Sequence, residues 1–161
     1  MSYTDKNKAM IDYLLTCDLV KNSALYFNYI NAKDNTKLIY PVAENTFSSR
    51  KFVDGTVLKT YACTMLNYKS VSDSEIIQIQ GYANENVTEM LDMQGVINWI
   101  AEQNESGTFP DFGSDCIVES IKTTTDTPNI DGYTDQTRPA LIQYSITINV
   151  EYLDTSKQIW N

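Results

Sequence analysis

The sequence predicts a single α+β domain in which a mainly antiparallel, twisted β-sheet carries helices on one face. Three observations lead there. Residues 141–153 alternate strictly: Ile142, Tyr144, Ile146, Ile148, Val150 and Tyr152 fall on one side, and Gln143, Ser145, Thr147, Asn149 and Glu151 on the other. Such alternation marks a strand with one buried and one wet face. Residues 86–106 repeat apolar side chains at helical spacing, through Met90, Met93, Val96, Ile97 and Ile100. Asp54-Gly55 stands between two β-prone runs, which signals a hairpin.

Taken in order, residues 5–17 suit an amphipathic helix, capped by Asp5 and carrying Met10, Ile11, Leu14 and Leu15 on one stripe. Residues 25–30 are aromatic and β-prone, and 38–42 suit a second strand ended near Pro41. The hairpin runs out over 47–53 and returns over 56–68, with Asp54 and Gly55 as a type I′ turn. Asn86, with Glu89 three residues on, resembles a capping box for the long helix. Gly107 stops that helix and Pro110 prevents its resumption. Gly95 at mid-helix costs about 1 kcal/mol against Ala, so a close neighbour is expected there. Residues 115–125 read as a strand. The polar stretch 126–138 reads as a long binding loop or mobile arm. Asp154, Thr155 and Ser156 supply turn chemistry, so 156–161 is expected to leave the sheet as a C-terminal arm that reaches a neighbour.

Length and composition bound the function. A chain of 161 residues makes one domain, 1–161, able to build a core without disulfides or metals. With 42% hydrophobic and 20% charged residues it is ordinary globular material. No apolar run is long enough to cross a bilayer, and the N-terminal stretch lacks the apolar region of a signal peptide, so neither membrane nor export is expected. A net charge of −9 disfavours a protein that grips phosphate backbones. Cys17, Cys63 and Cys116 are odd in number and widely spaced, as reduced and mostly buried thiols would be.

Chemistry is hard to assemble from what remains. The chain has no histidine, which excludes Ser-His-Asp, Cys-His and His-metal sites. It has no Walker-type phosphate loop. Asn129, Asp131 and Gly132 echo a calcium loop, but Thr127 and Arg138 occupy its first and twelfth positions, where Asp and Glu are needed. No cofactor or metal is expected. Asp111 and Asp115 could form a carboxylate pair, although turn and strand-start roles suit them better. The tyrosines alternate with aliphatics, as sheet residues do, rather than with Lys and Arg as a single-strand binding surface requires. Phe109, Phe112 and Trp160 stand at element boundaries, where local packing competes with a protein interface.

Several ordered phrases carry a resemblance. They are Trp99 to Asn104, Phe109-Pro110-Asp111-Phe112-Gly113, Pro139-Ala140-Leu141 leading to Tyr144-Ser145-Ile146, and the ending through Glu151-Tyr152-Leu153-Asp154, Ser156-Lys157 and Ile159-Trp160. Phe52-Val53-Asp54-Gly55 and Tyr68-Lys69-Ser70 match more loosely. Together these segments resemble the tail terminator or minor capsid (neck) proteins of phages and prophages of low-GC Gram-positive bacteria. The likeness covers most of the chain, strongly from about residue 90 onward, and carries no catalytic signature.

The resemblance implies an α/β fold that assembles as a ring, typically a hexamer, on the last ring of the tail tube. It implies two further partners, the tail tube protein and the head-tail connector or stopper. DNA would pass through the lumen without being held, which the net charge of −9 suits, and the protein would reside in the virion neck after assembly in the host cytoplasm. The interface residues expected on this reading are Asp54, Gly55, Phe109, Asp111, Phe112, Lys157, Ile159 and Trp160. Another neck ring protein is the alternative within the same machine. A small-molecule module or carboxylate enzyme built on Asp111 and Asp115 is the alternative of another class.

Overall fold

A computed structural model describes residues 3–21, 24–27, 36–41, 50–70, 84–134 and 141–159. Helices α1 (Tyr3–Leu14), α2 (Asp18–Lys21) and α3 (Asn84–Ser106) accompany strands β1 (Ala24–Phe27), β2 (Thr36–Pro41), β3 (Arg50–Lys51), β4 (Val57–Ser70), β5 (Cys116–Thr123), β6 (Asn129–Thr134) and β7 (Leu141–Asp154). The fold class is the expected α+β one. Its spine is the antiparallel pair β4–β7, in register from Val57↔Asp154 to Ser70↔Leu141. The outer side of β4 takes β3 and then β2, and β1 joins β2 in parallel. The outer side of β7 takes β5 and then β6, both antiparallel.

The alternation in β7 does what its pattern dictates. Tyr144, Ile146, Ile148, Val150 and Tyr152 are buried, joined across the register by Tyr61, Cys63 and Met65 of β4. Onto this face pack Met10, Tyr13 and Leu14 of α1 and Met93, Val96, Ile97 and Ile100 of α3. Cys17 and Cys63 are buried thiols and Cys116 is half-buried; burial pushes the Cys63 thiol up to about 12. The opposite face is not uniformly wet. Leu38, Ala62, Thr64, Tyr68 and Ser145 are buried there, at the β2 side and towards the far end of the spine. The same core side holds a polar row in which Lys37, Asn67 and Tyr144 align, all buried.

Several boundaries differ from expectation. The first helix begins at Tyr3, ahead of Asp5, and ends at Leu14; a turn then restarts the chain as α2. The second long helix begins at Asn84, so Asn86 lies inside its first turn rather than capping it. Its C-terminus is as read. Gly107 adopts φ 72°, its amide donates to the Asn104 carbonyl, and the Thr108 amide donates to that of Gln103, a Schellman ending. The neighbour that Gly95 leaves room for is the Leu19 side chain of α2, which an added Cβ would overlap.

The stretch 126–138 is not one long loop. Residues 129–134 form β6 against β7, with a register shift between Ile130 and Gly132. That irregularity explains why the alternation is hidden, because a bulge breaks the period-two pattern and tolerates a glycine. Residues 135–138 lie outside the described part, as do 28–30 of the expected first strand and 47–49 of the outgoing hairpin arm.

Candidate interface at the hairpin end of the sheet

The turn between β3 and β4 is wider than a two-residue type I′ turn. The Gly55 amide donates to the Phe52 carbonyl at 3.1 Å and the Phe52 amide donates to that of Thr56 at 2.7 Å. Val53, Asp54 and Gly55 therefore make a three-residue loop, with Gly55 at φ 91° in the left-handed position such loops require. The Asp54 carboxylate accepts the Thr56 amide at 3.0 Å and braces the turn.

The C-terminal segment comes back to this turn. After Asp154, the amide of Thr155 donates to the Asp115 carbonyl at 2.8 Å, just ahead of β5. The Gln158 amide then closes a turn onto the Thr155 carbonyl. The Ile159 amide donates to the Asp54 carbonyl at 2.8 Å, and the Gln158 side chain donates to the Asp54 carboxylate at 3.2 Å. Residues 155–159 thus form a strap across the end of the sheet, from the β5 side to the β3–β4 turn. The segment leaves the sheet as expected, but through Ile159 it reaches its own hairpin rather than a neighbour. Trp160 lies outside the described residues.

Two carboxylates at this end have local partners. Hydrogen bonds, first from the Thr56 amide and also from Gln158, hold the Asp54 carboxyl below the usual carboxylate range. Burial acts to raise the Asp154 carboxyl. The ion pair with Lys59 at 2.8 Å and the Ser156 amide at 3.0 Å outweigh it and hold that group well below its ordinary value.

The helix-free face carries an apolar patch here. Register aligns Arg50, Leu58, Leu153 and Ile117 in one row across β3, β4, β7 and β5. Phe52 and Val53 continue it at the hairpin. A cleft of about 560 Å³ opens between these side chains, Thr56, Thr155 and Gln158. Val53 is 91% exposed, Ile159 68%, Ile117 55% and Phe52 42%. Phe52, Val53 and Ile117 are thus large apolar side chains left in water around one cleft beside charged and polar ones, which makes this end of the sheet the candidate contact surface.

The structure sorts the expected interface residues into three groups. Asp54, Gly55, Lys157 and Ile159 come together, because hairpin turn and strap touch: a Cβ on Gly55 would overlap the Lys157 carbonyl. Phe109 and Asp111 lie elsewhere, lining a cleft of about 470 Å³ with Lys8, Asp12 and Tyr13 beside α1. Phe112 is a correction. It is 1% exposed and stacks edge-on against Tyr61 at 5.5 Å and Tyr152 at 5.4 Å, so it belongs to the core. The reason is that the segment after α3 turns under the sheet. The Tyr13 hydroxyl donates to the Thr108 carbonyl, and the Asp111 carboxylate accepts the Gly113 amide.

That last bond gives Asp111 a turn role. Asp115 does not share its cleft; its backbone carbonyl anchors Thr155. Among the described residues no group of three or more Cys, Asp or Glu is placed to hold a metal ion, and no helix is long and apolar enough to cross a membrane.

Sequence reasoning missed Phe52, Val53, Leu58, Ile117 and Leu153. Their signal was present: Val53 is an apolar residue at a turn tip, and Ile117 falls on the outward phase of its strand. No protein-family model matches this chain, and no curated protein matches it either.

Proposed function

We propose that this protein is a structural component of phage assembly, a tail terminator whose ring caps the tail tube, stops its growth and joins it to the head connector. The observation that carries the reading is the apolar patch at the strap end of the sheet. Phe52, Val53 and Ile117 are exposed there on an antiparallel scaffold, and the turn at Asp54 and Gly55 is tied to the strap at Lys157 and Ile159. An assembly protein needs such a preformed surface, and ring contacts bury apolar area that a lone subunit leaves wet. The ordered phrases that resemble the terminator family include the ending through Ile159 and, more loosely, Phe52-Val53-Asp54-Gly55.

The net charge of −9 suits a lumen through which DNA slides without adhering. Purified protein mixed with uncapped tail tubes should cosediment with them and appear as a cap at one end in negative-stain images. Tubes that stay uncapped at saturating protein would overturn the reading.

A further inference from the structure

We propose that the cleft at the hairpin end of the sheet receives an extended segment of a partner protein that presents an apolar side chain next to a Lys or Arg. This rests on reading this end of the sheet as a contact surface, and it adds what the partner must carry.

The floor of the cleft is apolar. Leu58 of β4, Leu153 of β7 and Ile117 of β5 align across it on the helix-free face. Phe52 and Val53 line it at the hairpin, and its volume is about 560 Å³. Carboxylates reach it from two elements. Asp54 comes from the hairpin turn. Glu119 comes from β5, where it is exposed at the residue that the register passes over between Val118 and Ser120. Among the described residues no Lys or Arg lines the cleft. Arg50 borders Leu58 one strand farther out, and Lys157 meets the turn through its backbone carbonyl.

A second observation points to the same place. Thr56 stands two residues before Leu58, in the same phase, and lines the cleft although it is only 6% exposed. Its amide donates to Asp54 and its carbonyl accepts from Phe52, but its hydroxyl has no hydrogen-bond partner among the described residues. The polar groups beside it are engaged: the Thr155 hydroxyl donates to the Asp115 carbonyl, and the Gln158 side chain donates to Asp54. An unpaired hydroxyl withdrawn from water is costly. A hydroxyl both donates and accepts, so either backbone group of a peptide satisfies it. An apolar side chain alone would draw Asp54 and Glu119 out of water with no counter-charge, and an acidic segment would be repelled. An apolar group with a cation beside it meets both the floor and the carboxylates.

Fluorescence anisotropy tests this on the full-length chain in about 0.15 M salt, where distant charges are screened. The probes are labelled acetyl-Val-Lys-Val-Lys-amide and its acidic match, acetyl-Val-Glu-Val-Glu-amide. The basic peptide should bind at least about tenfold more tightly, and Glu119→Lys should weaken its binding about tenfold. Glu105→Lys, the same charge change on α3 outside the cleft lining, should alter binding by no more than about twofold, which separates the cleft from general attraction to the net charge of −9. Thr56→Val should weaken binding about three- to tenfold while the melting temperature does not fall, because the hydroxyl gives up no bond in the free protein. Equal binding of the two peptides, binding of neither, equal effects of the two Glu→Lys changes, or binding that Glu119→Lys or Thr56→Val leaves unchanged overturns the proposal. Protein that caps tail tubes yet fails these measurements loses the specificity of the cleft alone. Protein that meets them yet leaves tubes uncapped loses the terminator reading alone.

Discussion

The Ile159 amide and the Asp54 carbonyl lie 2.8 Å apart, joining the end of the described chain to a turn more than one hundred residues earlier. The bond ties the hairpin turn, which carries exposed Phe52 and Val53, to a strap that carries exposed Ile159. The geometry of this contact depends on Gly55, whose Cα faces the Lys157 carbonyl.

Gly55→Ala meets two penalties, a strained φ of 91° and overlap with the strap. A loss of about 1–3 kcal/mol is expected by chemical denaturation. In protein lacking residues 157–161 the overlap is gone, and the same substitution should cost measurably less. Equal costs in the two backgrounds would show that strap and turn are uncoupled.

Removing residues 157–161 takes away the bonds from Gln158 and Ile159, all at exposed groups. Net worth near 1 kcal/mol corresponds to a fall in melting temperature of about 2–4 °C for a chain of this size. Association with tail tubes should be lost although the subunit stays folded. A much larger drop in melting temperature with assembly intact would make the strap a core element instead.

Phe112→Ala should behave as a core truncation and cost about 3–5 kcal/mol, because the ring is buried between Tyr61 and Tyr152. Phe52→Ala, at an exposed ring, should change stability by no more than about 0.5 kcal/mol and act on assembly. Reversal of that order in thermal melts would contradict the placement of the two rings.

Asp154 predicts a pH dependence. Its carboxyl is depressed in the folded state, so below the ordinary Asp value of about 3.9 the unfolded chain takes up the proton first. The contribution is therefore fully present above that value and is lost as pH falls towards the folded one. Wild-type stability should decline through this acid window more steeply than that of Asp154→Asn. Parallel curves for the two proteins would remove Asp154 from the acid response.

Much of the fold was legible wherever one period ran unbroken. The alternation from Tyr144 to Tyr152 gave β7 its buried face, and the stripe from Met93 to Ile100 gave α3 its own. β6 was hidden because a bulge at Asp131 and Gly132 interrupts its period. Phe112 misled because chain position cannot tell an aromatic at a boundary from one that turns inward; the fold decides that through long-range contacts with Tyr61 and Tyr152. The patch itself was half visible. Turn chemistry at Asp54-Gly55 and the apolar ending drew notice separately, but their contact joins positions more than one hundred residues apart and no local pattern encodes it.

The central claim, that this subunit builds a ring on a tail tube, is tested most directly by the mass of its assemblies. Mass photometry of the full-length protein, alone and with tail tubes, should show the tubes driving the 18.3 kDa subunit into a discrete closed species, six copies on the expectation for a terminator. A population that remains monomeric in the presence of tubes, or that forms only an open series of sizes with no closed species, would contradict it.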